Sequence, residues 1–171
     1  MLCLGVEPVR DHSEPVPEPN VAALLAKTRV VVEPEPLVAV SLPPVEAQAV
    51  QRRADRLHSP FFLTFAPDEV SLVCREVEWE QAGRGLRPTR VERGYRMITL
   101  DVVLDLSVIG YLAVVTERLA RAGIPVSVVS TFHRDHLLVR DEHADAAQRV
   151  LKRMIEDYQA VAPQPDAWSQ A

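Results

Sequence analysis

Toward the end of the chain, apolar side chains recur at helical spacing without a break. Ala147, Val150, Leu151, Met154, Ile155 and Tyr158 fall on one face, while Arg149, Lys152, Arg153 and Asp157 fall on the other. Such a helix needs a flat apolar partner, and a sheet built from the preceding strands supplies one. Upstream, the pattern alternates between short apolar runs and helical segments. Asn20 can cap a short helix ending at Lys27, and residues 28–33 are β-branched and strand-like. Pro34-Glu35-Pro36 breaks the chain before the apolar strand 37–42. Pro43 and Pro44 suit the start of a helix over 45–58. Residues 61–65 and 70–75 then read as a hairpin turning at Ala66-Pro67-Asp68-Glu69.

A charged connector over 76–94, with Gly83, Gly85 and Pro88, reads as a short helix plus loop, and the same order then recurs. Residues 95–104 predict a strand. Ser107 is placed to cap a helix carrying Ile109, Leu112, Thr116 and Leu119 on one face. Gly123 ends that helix, Pro125 prevents its continuation, and 126–131 with 136–140 form a second hairpin. Thr64-Phe65-Ala66-Pro67-Asp68 in the first hairpin echoes Thr131-Phe132-His133-Arg134-Asp135 in the second. The expected organisation is a proline-rich, partly disordered segment (1–27), two βαββαβ modules (28–94 and 95–158) and a flexible tail (159–171) with Trp168 docked. The first module has no separate last strand before Tyr95, so residues 28–33 are available to complete a sheet by intertwining.

Composition narrows the function. With 171 residues the chain can bury one good core or two small ones, and 47% hydrophobic and 25% charged residues are ordinary for a globular protein. A net charge of −5 argues against a nucleic-acid partner. Cys3 and Cys74 give no disulfide framework, the first ten residues do not resemble a secretory signal, and no window approaches a membrane span. These features predict a cytoplasmic protein without nucleic-acid or membrane partners.

The candidate chemistry lies in the second half. A helix N-terminus after Ser107 offers unpaired N–H groups and the positive end of the macrodipole, which suit a carboxylate. Gly110 would let a ligand approach the backbone, Asp135 could answer an ammonium or guanidinium, and Phe132 could wall a side-chain pocket. Each residue also has a local reading: Ser107 as an N-cap only, Gly110 for helix packing, Asp135 as a turn residue, Phe132 as core. His133, His136 and His143 gather near Asp135 without a recognised metal-ligand spacing, so no metal is expected. No Ser, Cys or Lys has an evident base partner, and Gly83-x-Gly85 lacks the strand and helix of a nucleotide fingerprint. Neither catalysis nor a cofactor is expected.

Leu106-Ser107-Val108-Ile109-Gly110, the Ala122-Gly123-Ile124 corner and Val129-Ser130-Thr131-Phe132-x-x-Asp135-His136 resemble ACT domains. More narrowly, they resemble the small tandem-ACT proteins related to the CASTOR family of arginine sensors, as do Phe61-Phe62 and Ser71-Leu72-Val73-Cys74. The resemblance implies an α+β fold of tandem ferredoxin-like βαββαβ modules, with antiparallel sheets and helices on one face. It also implies a free amino acid or similar small effector held at an ACT–ACT interface, bound by Ser107, Val108, Ile109 and Gly110 on one side and Thr131, Phe132 and Asp135 on the other. Those sensors carry four modules where this chain has two, so a homodimer is expected, together with an unidentified regulated protein. Two competing readings are a ligand-free interaction or scaffold module of the same fold, and an RNA-binding module stacking bases on Phe61, Phe62 and Phe65. The acidic balance disfavours the second.

Overall fold

The computed structural model describes residues 21–161. The expectations for 1–20 and for 162–171, including Trp168, lie outside them. In chain order the elements are α1 (Val21–Lys27), β1 (Arg29–Val32), β2 (Leu37–Leu42), a 3-10 turn (Pro44–Glu46), α2 (Ala47–Ala54), β3 (Phe62–Phe65), β4 (Val70–Arg75), α3 (Glu76–Ala82), β5 (Arg90–Asp101), α4 (Tyr111–Arg121), β6 (Ser127–Ser130), β7 (Asp135–Arg140) and α5 (Asp141–Val161). The seven strands form one antiparallel sheet in the order β3-β4-β2-β5-β7-β6, and β1 pairs with β5.

β5 is the spine. β2 runs along its first half, with Ser41 opposite Arg90 and Leu37 opposite Tyr95. β1 runs along its second half, with Val32 opposite Ile98 and Arg29 opposite Asp101. β7 takes the other edge, with Tyr95 opposite Arg140. β1 and β2 therefore lie end to end, parted where Pro34 and Pro36 cannot donate to a ladder. Each half has the strand sequence of a βαββαβ module: β2-α2-β3-β4-α3 closed by the first half of β5, and the second half of β5 with α4-β6-β7-α5 closed by β1. The strand before Pro34, expected within the first module, thus lies in the second module's half of the sheet, and the two halves are intertwined through it. The expected junction at 94/95 falls inside β5. Leu37 faces Tyr95 while Ala39 faces Glu92, so β5 carries an extra residue there. Gly94, at φ 74°, supplies the backbone freedom for that bulge.

The helices cover one face. Ile98, Leu100, Leu137 and Val139 pack against Leu25 of α1, Tyr111, Val115 and Leu119 of α4, and Ala147, Leu151, Met154 and Ile155 of α5. Val38, Val40, Leu42, Val70, Leu72 and Cys74 pack against Val50 of α2 and Trp79 of α3. On the helix-free face, Leu37, Val73, Met97 and Leu138 are also buried. The sheet curls over them. Phe62 on β3 meets His136 on β7 with ring centroids 5.3 Å apart, although three strands separate them in the sheet.

Three local expectations are corrected. α2 is shorter than 45–58, because Arg56 and Leu57 donate to Arg53 and Ala54 in a tight 3-10 turn at its end. β5 begins at Arg90 rather than Tyr95: pairing with β2 imposes strand geometry on the charged run Arg90-Val91-Glu92-Arg93. α4 begins at Tyr111, so its inward stripe is Tyr111, Val115 and Leu119, and Ile109 lies outside it. α5 keeps the predicted face, with Ala147, Leu151, Met154 and Ile155 buried. Among the described residues no helix is long and apolar enough to cross a membrane.

Candidate functional site

A cleft of about 200 Å³ opens between the start of α4 and the β6–β7 turn. Leu104, Asp105, Leu106, Val108, Tyr111 and Leu112 line one wall, and Ser130, Thr131, Phe132, His133, Arg134 and Asp135 the other. Two ties fix the walls. The Leu104 N–H donates to the His133 carbonyl at 3.0 Å. Arg134 Nε reaches Asp101 Oδ1 at 2.9 Å, while Arg29 holds Asp101 Oδ2 at 2.6 Å. Both guanidiniums hold the Asp101 carboxyl below its usual range. The turn itself is closed by the Thr131 N–H donating to the Arg134 carbonyl at 2.9 Å.

The first wall differs from the sequence expectation at Ser107. Gly110, not Ser107, is the N-cap of α4, in the left-handed conformation at φ 89°. Ser107 instead donates through its N–H (2.9 Å) and its hydroxyl (2.6 Å) to Asp105 Oδ1, which lowers the Asp105 pKa. An aspartate that closes a turn on its own following backbone competes with helix initiation, and here it wins. The first intrahelical bond runs from Val114 N–H to the Gly110 carbonyl at 3.1 Å. Among the described residues, the N–H groups of Tyr111, Leu112 and Ala113 have no protein acceptor, as is usual in a first turn.

On the opposite wall, Asp135 accepts from Ser130 Oγ at 2.6 Å through Oδ1. Its charge also reaches Tyr111 in the first turn of α4, where it adds to burial in raising the phenol to about 12. Tyr111 is therefore neutral, and its partner fixes its role. Thr28 Oγ1 donates to the Leu24 carbonyl (2.8 Å), so the 2.8 Å bond between the two hydroxyls is donated by Tyr111. His136 lies behind the turn, with Nδ1 2.9 Å from Thr99 Oγ1. Burial depresses its pKa against the pull of Asp135.

Of the seven residues singled out from the sequence, the structure brings Val108, Thr131, Phe132 and Asp135 together around the cleft. Gly110 caps the helix at its mouth, Ser107 is turned toward Asp105, and Ile109 points to solvent with 70% of its surface exposed. Phe132, likewise 70% exposed, rests edge-on against the His133 ring at 4.7 Å. Val103 and Leu106 are exposed as well, and of these four apolar residues Leu106 and Phe132 line the cleft. Sequence reasoning missed Asp105, Tyr111 and Arg134. The Asp105-x-Ser107 turn signal was present for the first, whereas the other two depend on long-range pairing.

The second half of the chain has a family match: residues 90–153 match the family described as ACT domain. No curated protein matches the chain at a significant level. Solved structures with the same fold include a protein of unknown function from Vibrio cholerae (22% identity over 79% of this chain and 95% of that one, TM-score 0.60). A protein from Agrobacterium tumefaciens is 25% identical over 74% of this chain and 88% of that one, with TM-score 0.60. The ligand-free regulatory subunit of aspartate kinase from Thermus thermophilus is 14% identical over 73% of this chain and 95% of that one, with TM-score 0.58. The architecture is thus the α+β, ferredoxin-like arrangement of ACT modules, with the second module coinciding with the family match.

Proposed function

We propose that this protein is a non-catalytic regulatory module that binds a free amino acid, or a small effector with the same charged ends, in the cleft between α4 and the β6–β7 turn. The carrying observation is that one small cleft is lined both by Tyr111 and Leu112, in the first turn of α4 where the N–H groups lack protein acceptors, and by Asp135. The α-carboxylate of the effector takes the amides and the positive end of the α4 dipole. The α-ammonium takes the Asp135 oxygen that Ser130 leaves free. Thr131 and Val108 bound the remaining space.

The site is shallow in one chain, and the apolar Val103, Leu106, Ile109 and Phe132, which line it or adjoin its lining residues in the chain, are exposed. A second copy covers these side chains in this reading and turns the cleft into an interface site, in keeping with the ACT-domain match and the resemblance to CASTOR-like sensors. Occupancy then favours one packing of the modules, and a regulated protein reads the difference. Covalent chemistry gains no support from Cys74, a buried thiol pushed up to about 12 by burial and by Glu78.

The test is thermal melting against a panel of amino acids. A true ligand at 100 times its Kd stabilises by about 2.7 kcal/mol. Asp135→Ala should abolish the shift while leaving the ligand-free midpoint within a few degrees. The same exposed side chains also fit the second reading, a scaffold that assembles through them and binds nothing. That reading gains if the chain self-associates through Ile109 and Phe132 while no compound moves the midpoint.

A further inference from the structure

At the far end of α4 a second cleft, of about 500 Å³, opens between α4 and α5. Arg118 and Arg121 reach it from one helix and Arg149 and Arg153 from the other, over a floor that includes Ala146, Val150 and Met154. We propose that this cleft binds a small phosphate monoester with an uncharged body, at a site separate from the effector cleft.

The four arginines do not have equivalent local explanations. Arg118 and Arg121 sit in the last turn of α4, where cations answer the carbonyl end of the helix. Each is also paired, Arg118 with Asp157 at 3.6 Å and Arg121 with Glu117 at 2.5 Å. Arg149 and Arg153 have neither reason. They lie in the middle of α5, one turn apart, where like charges repel. Among the described residues neither has a carboxylate within 4 Å, although Asp145 stands one turn before Arg149. The cleft lining thus carries four guanidiniums and no carboxylate, with Glu117, Asp145 and Asp157 outside it, on a chain whose net charge is −5.

That surplus selects the ligand class. A phosphate monoester carries about −1.5 to −2 charges at pH 7 and offers three acceptor oxygens, which guanidinium forks engage in pairs. The apolar floor receives the carbon body. No aromatic side chain lines the cleft, so base stacking is not on offer and a nucleotide has no advantage over a simple ester. A nucleic acid is disfavoured by the finite cleft and by the chain's net charge of −5.

Calorimetric titration of the full chain at fixed ionic strength tests the proposal with three probes: phenyl phosphate, phenyl sulfate and inorganic phosphate. Phenyl phosphate should bind saturably with one site per chain, at least tenfold tighter than its singly charged sulfate counterpart and tighter than inorganic phosphate. The double variant Arg149→Gln, Arg153→Gln should lose tenfold or more in affinity with little change in melting temperature, since the repulsion between the two arginines and their attractions to Asp145 and Asp157 are lost together. Arg52→Gln on α2 should change nothing. The proposal is overturned by absence of saturation up to about 10 mM, by equal binding of the monoanion, or by unchanged affinity in the double variant. Because the readout is independent of Asp135, failure here leaves the effector cleft standing.

Discussion

Asp135 and Tyr111 face each other across the cleft, and each makes a residue-level prediction. In the proposed site Asp135 supplies the charge that meets the effector's ammonium, so Asp135→Asn should weaken binding at least tenfold, measured by calorimetry, and leave the urea midpoint nearly unchanged. Tyr111 donates the bond that holds Thr28, which is itself 3% exposed. Tyr111→Phe leaves Thr28 still donating to Leu24, so the expected loss is about 1 kcal/mol in chemical denaturation rather than a collapse. His136 adds a pH dependence. Burial holds its folded pKa below the ordinary 6.5, and the groups around it are Asp135, Arg134, Thr99 and Thr131. Below 6.5 the unfolded chain takes up a proton that the folded chain resists. The contribution is therefore complete above 6.5 and lost as pH falls through the folded value. Urea midpoints should drop between about pH 7 and pH 5, and His136→Asn should flatten that slope.

At the scale of elements, α5 was legible because its stripe runs uninterrupted, and Leu151, fully buried on it, is a core position. Leu151→Ala should cost about 2–5 kcal/mol. α4 was legible in kind and not in its start. Ser107 carries the type of side chain that caps helices, but Asp105 captures its hydroxyl and amide, and the chain travels three more residues before Gly110 turns it into the helix. That displacement moves the free amides from Ser107–Gly110 to Tyr111–Ala113. The helix start, and with it the set of first-turn amides, lies later in the chain than Ser107 led one to expect. A methyl group at Gly110 would meet nothing within 4 Å, so the cost of Gly110→Ala comes from its φ of 89° alone. About 1–2 kcal/mol is expected, together with weaker effector binding if the helix start shifts.

Over the whole molecule, the two-module plan was visible in the repeated order of elements and in the echo between the hairpins. The sharing of β5 was not. Residues 90–94 look like a polar linker in sequence, and only the edge offered by β2 makes them a strand. The strand missing from the first module is supplied by the first half of β5, whereas β1, which the sequence placed in the first module, pairs with the second half. The exposed apolar side chains beside the cleft belong to this scale as well, since in the proposed function a second copy covers Ile109 and Phe132. If the proposed dimer is the state in solution, Ile109→Ser with Phe132→Ser should shift sedimentation toward monomer and lower effector affinity, while the midpoint of the isolated chain stays the same.

The central claim is that the first amides of α4 and the Asp135 carboxylate hold opposite ends of one effector. Amide-resolved NMR titration with the amino acid that raises the melting point reads both ends at once. The Tyr111, Leu112 and Ala113 signals should move together to saturation, and Asp135→Ala should erase the response at the same ligand concentration. Saturable shifts confined to other residues, with those three amides unmoved, would contradict it.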